Sequence, residues 1–407
     1  MSRKPLIRRI LFSAVILAVY GFGKDIPLPN ADIYQVTEQL KEASFLQITS
    51  LATGGNFTAP TIFSLGLAPW MAGMIFWQLL TLTKMGGIDQ MPKEKSDRWR
   101  NLLILLIAVI EGYGTTYMLR DYFSEFTQFQ VFQTCLLIVA GAFFLIWLAS
   151  VNTVYGLGGP SLVILFGMVS SYRVPVAQIT RMILVEDLWG RIVLAILVGV
   201  IVLGLIALAL IFERSEYRLP VNRIMNTADM QKSAYIPLKL NAGGSLAFMF
   251  SLTVLLLPQI IFQYLADSYP QNNVFWWLEN NSTTTSFFGV TLYNVILFAL
   301  AVLFAQVMLD VTDLAENLRK NGDYFTNIRP GKETKKYLKQ KQNATAFIGA
   351  TFTVIVAGLP LYLGVIWPEY AAVVLMPGLT IILVGIITSI ILQIRAINTL
   401  SSYEKLL

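Results

Sequence analysis

At 407 residues, 56% hydrophobic and 13% charged, with mean hydropathy +0.63 and a formal charge of +6, the chain is far more apolar than a soluble domain, which carries about a quarter of charged residues. Histidine is absent and cysteine occurs once, at Cys135 inside an apolar run. That excludes, within the chain, a disulfide framework, a Cys/His zinc site and a histidine proton relay. What remains is an all-α, multi-pass membrane protein. In windows of about 19 residues, ten spans are expected near 6–23, 61–83, 101–119, 131–151, 160–175, 188–212, 246–265, 287–309, 344–366 and 371–394.

The N-terminal run resembles a signal peptide, but its cleavage pattern is poor, so it reads as a retained first helix. The stretch from Phe45 to Leu82 is apolar yet broken at Gly54, Gly55 and Pro60. Its first half is too short to cross a hydrocarbon core needing about 20 residues, whereas Thr61 to Leu82 is long enough. The first half must therefore fold back, and irregular backbone survives at membrane depth only where protein buries it or water reaches it. A cavity or pore is one reading and a packing element without gating duty is the other. Further along, Gln78, Thr81 and Glu111 are polar where polarity is expensive, and Trp276 and Trp277 with Tyr269 fit an interfacial aromatic belt.

The loops 84–100, 213–239 and 310–341, with the two chain ends, hold 24 of the 30 lysines and arginines. The positive-inside rule puts that side, and both termini, in the cytoplasm. The charge thus marks topology rather than a nucleic-acid patch. Five spans on either side of about residue 180 with opposite entry directions give two inverted halves, 1–180 and 181–407. In the 310–341 loop a helix is expected to stop near Asn321 and Gly322, and IRPG then turns with Arg329 at its tip.

Four separated stretches resemble the SecY family of protein-conducting channels: TIFSLGLAPWMAGMIFWQLL (Thr61 to Leu80), AYIPLKLNAGG (Ala234 to Gly244), AENLRKNGDYFTNIRPGKET (Ala315 to Thr334) and YEKLL (Tyr403 to Leu407). They stand in the family's order, and the likeness extends over essentially the whole chain. Departures are the absence of the family's arginine at Ala59, YGLGGPS (Tyr155 to Ser161) in place of GIGNGIS, and APW in place of MPY. With the short length, these resemble the accessory branch of the family, found in some Gram-positive bacteria. The housekeeping branch is the alternative.

The resemblance implies a channel, not an enzyme and without cofactor or metal, that conducts unfolded polypeptides across the plasma membrane. Its pore ring would be Leu67, Met71, Ile164, Met168, Met249 and Leu383, each of which singly reads equally well as helix packing. Its re-entrant plug would lie at about 45–60, hinged at Gly54 and Gly55, and a hydrogen-bond cluster of Gln78, Thr81 and Glu111, centred on Glu111, would bias a lateral gate toward closed. Arg218 and Arg329 would dock an accessory SecA-type motor ATPase. Further implied partners are small SecE/SecG-like or accessory Sec membrane subunits, a secreted preprotein, here serine-rich glycoprotein adhesins, and the lipid bilayer. Two rivals stand apart from the family: a small-substrate secondary transporter, and a metal- and pyrophosphate-using membrane enzyme prompted by Asp310 and Asp313. The spans hold few carboxylates for coupling, and no GxxxxGK[ST] loop occurs.

Overall fold

The computed structural model describes residues 4–29, 61–82, 91–118, 127–185, 187–223, 234–241 and 243–403. Helix dominates. The first half holds α1 (Lys4–Lys24), α2 (Ala68–Leu82), α3 (Lys93–Met118), α4 (Gln128–Tyr155), α5 (Pro160–Ser171) and α6 (Arg173–Val185). The second holds α7 (Leu188–Arg214), α8 (Gly244–Ser268), α9 (Asn273–Asn281), α10 (Phe287–Met308), α11 (Val311–Asn321), α12 (Lys332–Thr353), α13 (Leu361–Ile366), α14 (Ala371–Val374) and α15 (Met376–Tyr403).

The all-α expectation needs one correction, in the 213–239 loop. There β1 (Glu216–Pro220) pairs antiparallel with β2 (Tyr235–Lys239), Arg218 opposite Pro237. Pro220 and Pro237 cannot donate inside a helix, and the alternation that buries Leu219 and Leu238 suits a ribbon with one covered face.

Among the described residues seven helical stretches are long and apolar enough to cross a membrane, so three of the ten expected spans need another account. The expected helix from Thr61 to Leu82 starts only at Ala68. Residues 61–67 are turns, in which the Ser64 hydroxyl donates to Thr61 O (2.7 Å), the Gly66 N–H donates to Phe63 O (2.9 Å) and Gly66 takes φ 56°. Fifteen residues reach about 22 Å, short of a core about 30 Å thick. In α3 the apolar run gives way to Glu111, Gly112, Tyr113, Gly114, Thr115 and Thr116. α5 is only 12 residues long.

Tight packing holds the short pieces in place. Gly141 of α4 lies so close to the 61–67 turns that a Cβ there would sit 2.1 Å from Ile62 O; Gly349 of α12 meets Leu240 O at the same 2.1 Å. Small residues at such contacts let backbones approach, which is how helices associate where lipid supplies no hydrophobic drive. Tyr20 of α1 stacks on Phe63 (6.0 Å) and meets Phe166 of α5 edge-on (5.6 Å).

The YGLGGPS turn between α4 and α5 is pinned from both ends of the chain. The Ser13 hydroxyl donates to Asn152 Oδ1 (2.8 Å) and accepts from the Leu157 N–H (2.8 Å), while Asn152 Nδ2 donates to Leu157 O (2.8 Å). The Gly158 N–H donates to Gln393 Oε1 of α15 (2.8 Å), and Gly158 holds φ 72°.

α12 continues through a π-turn, Val354–Gly358, toward α13. Pro360 lacks an N–H and crowds the carbonyl four residues back. The ladder slips by one residue there, with the Leu359 N–H donating to Val354 O (2.8 Å).

Candidate functional site

Leu67, Met71, Ile164, Met168 and Met249 are all buried in one apolar cluster built from both halves of the chain. Leu67 ends the turns four residues before Met71 of α2, whose N–H donates to Leu67 O (3.0 Å), and Ile164 and Met168 share a face of α5 at four-residue spacing. Leu383 of α15 is half-buried; around it Leu379, Ile382, Val384 and Ile386 belong to the cluster. Methionine here is unbranched and soft, so it can repack around changing neighbours.

One turn from these side chains, toward β1 and β2, lies a cavity of about 420 Å³ with a mixed polar and apolar lining. Ser161 lines it three residues before Ile164, Ser245 four before Met249, and Gly385 two after Leu383. Glu213, Lys239, Gln342, Thr345 and Ser389 are its other polar lining residues. Asn241 Nδ2 donates to Glu213 Oε2 (3.4 Å), and Gln342 Nε2 closes the end of α10 by donating to Ala305 O (3.0 Å) and Leu309 O (2.8 Å). A cavity walled in part by polar side chains thus abuts the apolar cluster.

A second feature is a set of buried polar atoms without hydrogen bonds, on three helices that pack on one another. They are both carboxyl oxygens of Glu111 on α3, Gln78 Oε1 on α2, and Thr253 Oγ1 and Gln259 Oε1 on α8. Gln259 Nε2 is used, donating to Ser282 O (2.8 Å). The Thr81 hydroxyl donates back to Trp77 O in its own helix (2.8 Å), and neither Glu111 carboxyl oxygen accepts a hydrogen bond, so the expected cluster centred on Glu111 does not form. An unsatisfied buried polar group costs about 1–3 kcal/mol, so this contact holds less tightly than an all-apolar one would. Sequence reasoning singled out Gln78, Thr81 and Glu111 but passed over Thr253 and Gln259, which carry the same signal of polarity inside an apolar span.

The two basic loops form one folded unit with its own core. Leu219, Val221, Leu238, Val311, Ala315, Leu318, Phe325 and Leu338 are buried together. Asn222 and Tyr324 exchange backbone hydrogen bonds (2.9 and 3.0 Å), tying loop to loop. Asp310 caps α11 by accepting from the Thr312 and Asp313 N–H groups (2.7 and 3.2 Å), and Gly322 ends that helix at φ 75°. Asp310 Oδ1 is therefore engaged as a helix cap. Arg329 stands exposed on a turn between Asn327 (φ 63°) and Gly331 (φ 105°). That turn is held by the Thr334 hydroxyl donating to Arg329 O (3.0 Å). Arg218, also exposed, donates to Glu216 Oε1 (2.8 Å) and lies 4.7 Å over the Tyr235 ring; the bond to Glu216 pushes its pKa further up. The expected plug at 45–60, with Gly54 and Gly55, lies outside the described residues.

The class these features define is a multi-pass helical membrane protein with a buried apolar centre, a partly polar cavity beside it and a basic folded unit. The chain belongs to the SecY family, whose family model matches residues 61–394. It is similar to the accessory Sec system protein translocase subunit SecY2 of Leuconostoc gelidum subsp. gasicomitatum, with 30% identity over 98% of this chain and 97% of that one. It is similar also to the SecY2 of Streptococcus salivarius, with 30% identity over 98% of each. Among solved structures it resembles one described as "The structure of a protein conducting channel", at TM-score 0.64 and 17% identity over 96% of this chain and 92% of that one. Sec61 in the canine ribosome-channel complex follows at TM-score 0.59 and 15% identity, with the same coverage. At those identities the structural likeness carries the fold.

Proposed function

We propose that this chain is the channel subunit of an accessory Sec translocase, conducting unfolded polypeptides across the plasma membrane. The observation that carries the reading is the full-length match to accessory SecY2 relatives. In this reading ten spans form two inverted halves, 1–180 and 181–407, with both termini in the cytoplasm. Leu67, Met71, Ile164, Met168, Met249 and Leu383 close the waist, the 45–60 segment plugs it, and the 420 Å³ cavity is the entrance on the motor side. The cargo is a serine-rich glycoprotein adhesin, the energy comes from an accessory SecA-type motor, and small accessory Sec or SecE/SecG-like subunits complete the assembly.

The α2–α3 and α2–α8 contacts form the lateral gate, biased toward closed by apolar packing and eased by the unpaired polar atoms of Gln78, Glu111 and Gln259. Arg218 and Arg329 receive the motor, since a rigid guanidinium fork suits carboxylates and carbonyls. The test is complementation. In a cell lacking its own accessory channel, this chain restores adhesin export and Arg329→Glu does not, although the variant is inserted at the wild-type level. Failure of the wild-type chain to restore export, with motor and small subunits supplied from its own host, would overturn the assignment. Full export by the variant would remove Arg329 from the docking site.

A further inference from the structure

We propose that a groove between α3, α4 and α8, on the membrane-facing side, binds one molecule of an uncharged diacyl lipid from the leaflet opposite the basic loop unit. The inference is independent of what passes through the centre. The groove has a volume of about 1110 Å³, just above the roughly 300–1,000 Å³ typical of sites that enclose small molecules. Its polarity is graded. Val139 and Phe143 line the deep end, whereas Gln128, Gln263 and Tyr264 line the other, which lies at the start of α4 and toward the end of α8.

From Gln128 to Phe143 along α4 is about 22 Å, and half a bilayer with its headgroup zone is about 20–22 Å deep. A partner's spanning helix would need a groove crossing both leaflets, so the depth fits a lipid. Among the described residues no charged side chain lines the groove, so a phosphate would find no cation among them, whereas hydroxyls of a neutral headgroup would meet the amides and the phenol. The exposed face of α7, with Val193, Val200 and Leu203, is apolar along its length and offers no such rim; it fits unselected bilayer lipid.

The test is native mass spectrometry of the full chain after incubation with equal amounts of glucosyl dioleoylglycerol and dioleoylphosphatidylglycerol. The expected result is retention of one glucosyl lipid. Tyr264→Phe with Gln128→Leu lowers that retention about two- to tenfold per hydrogen bond lost, and Ala140→Trp, whose ring fills the groove, abolishes it. Thermal unfolding of each variant guards against loss of fold. As a second readout in the wild-type chain, Cys135 lines the groove and is the chain's one cysteine, so bound glucosyl lipid slows its alkylation by N-ethylmaleimide. Equal retention of the phosphatidylglycerol, unchanged retention in a folded Ala140→Trp variant, or alkylation indifferent to the lipid would each overturn the proposal. Protection of Cys135 by a co-purifying single-span polypeptide in place of lipid would do so too.

Discussion

The membrane bundle and the basic loop unit reach stability by different routes. The loop unit is assembled as a small soluble protein is: a side-chain cap at Asp310, a left-handed stop at Gly322, a two-stranded ribbon and an aliphatic core around Leu338. The bundle instead relies on close backbone approach at glycines such as Gly141 and Gly349, and it keeps polar atoms on α2, α3 and α8 unsatisfied. The first is built to hold one shape and present arginines. The second keeps a contact between α2, α3 and α8 that is held less tightly than an all-apolar one.

Substitutions can break or sharpen that contrast. The largest effect is expected at Leu338, which is fully buried in the loop unit. Leu338→Ala should cost that unit about 2–5 kcal/mol, read as faster hydrogen exchange over 310–341 with the bundle unchanged; exchange spreading through α8 and α10 would show that the two regions are one cooperative unit. Next, Gly141→Ala forces a Cβ onto Ile62 O and should destabilise the bundle by about 1–3 kcal/mol, lowering the unfolding temperature in detergent.

Glu111→Leu reverses the sign. Removing two unpaired carboxyl oxygens should stabilise the closed bundle by about 1–3 kcal/mol and reduce export of cargo with weak signal sequences. A loss of stability there would mean that the carboxyl has a partner. Smallest is Asp310→Ala, expected to cost about 1 kcal/mol through the lost cap, detected as fraying of α11. If magnesium stabilised the wild-type chain but not this variant, the capping account would fail.

Much of this contrast was legible in the residues. The stop at Asn321 and Gly322 and the turn carrying Arg329 follow from local rules, in which glycine, and to a lesser degree asparagine, tolerates the left-handed backbone and proline fixes a turn. The apolar spans follow from composition. Three things were not readable, because each depends on a distant neighbour. The turns at 61–67 are set by packing on Gly141 as much as by Gly66. The β1–β2 ribbon needs Leu219 and Leu238 to meet the helices α11 and α12. The pinning of YGLGGPS needs Ser13 and Gln393, which are far from it in sequence. For the candidate site, the family motifs pointed to six apolar positions, five of which lie in one cluster. The polar atoms on α8 were visible in the sequence but had no assigned place until that helix was seen against α3.

The most direct measurement follows a secreted chain stalled in transit. With Cys135→Ser removing the native thiol, cysteines placed at Met71, Met249 and, as a lipid-facing control, Leu203 are tested for disulfide formation with a cysteine in the stalled segment. The account predicts adducts at 71 and 249 and none at 203. Adducts at 203 alone, or none at 71 and 249 while cargo is demonstrably engaged, would mean that polypeptides do not pass through the methionine-lined centre.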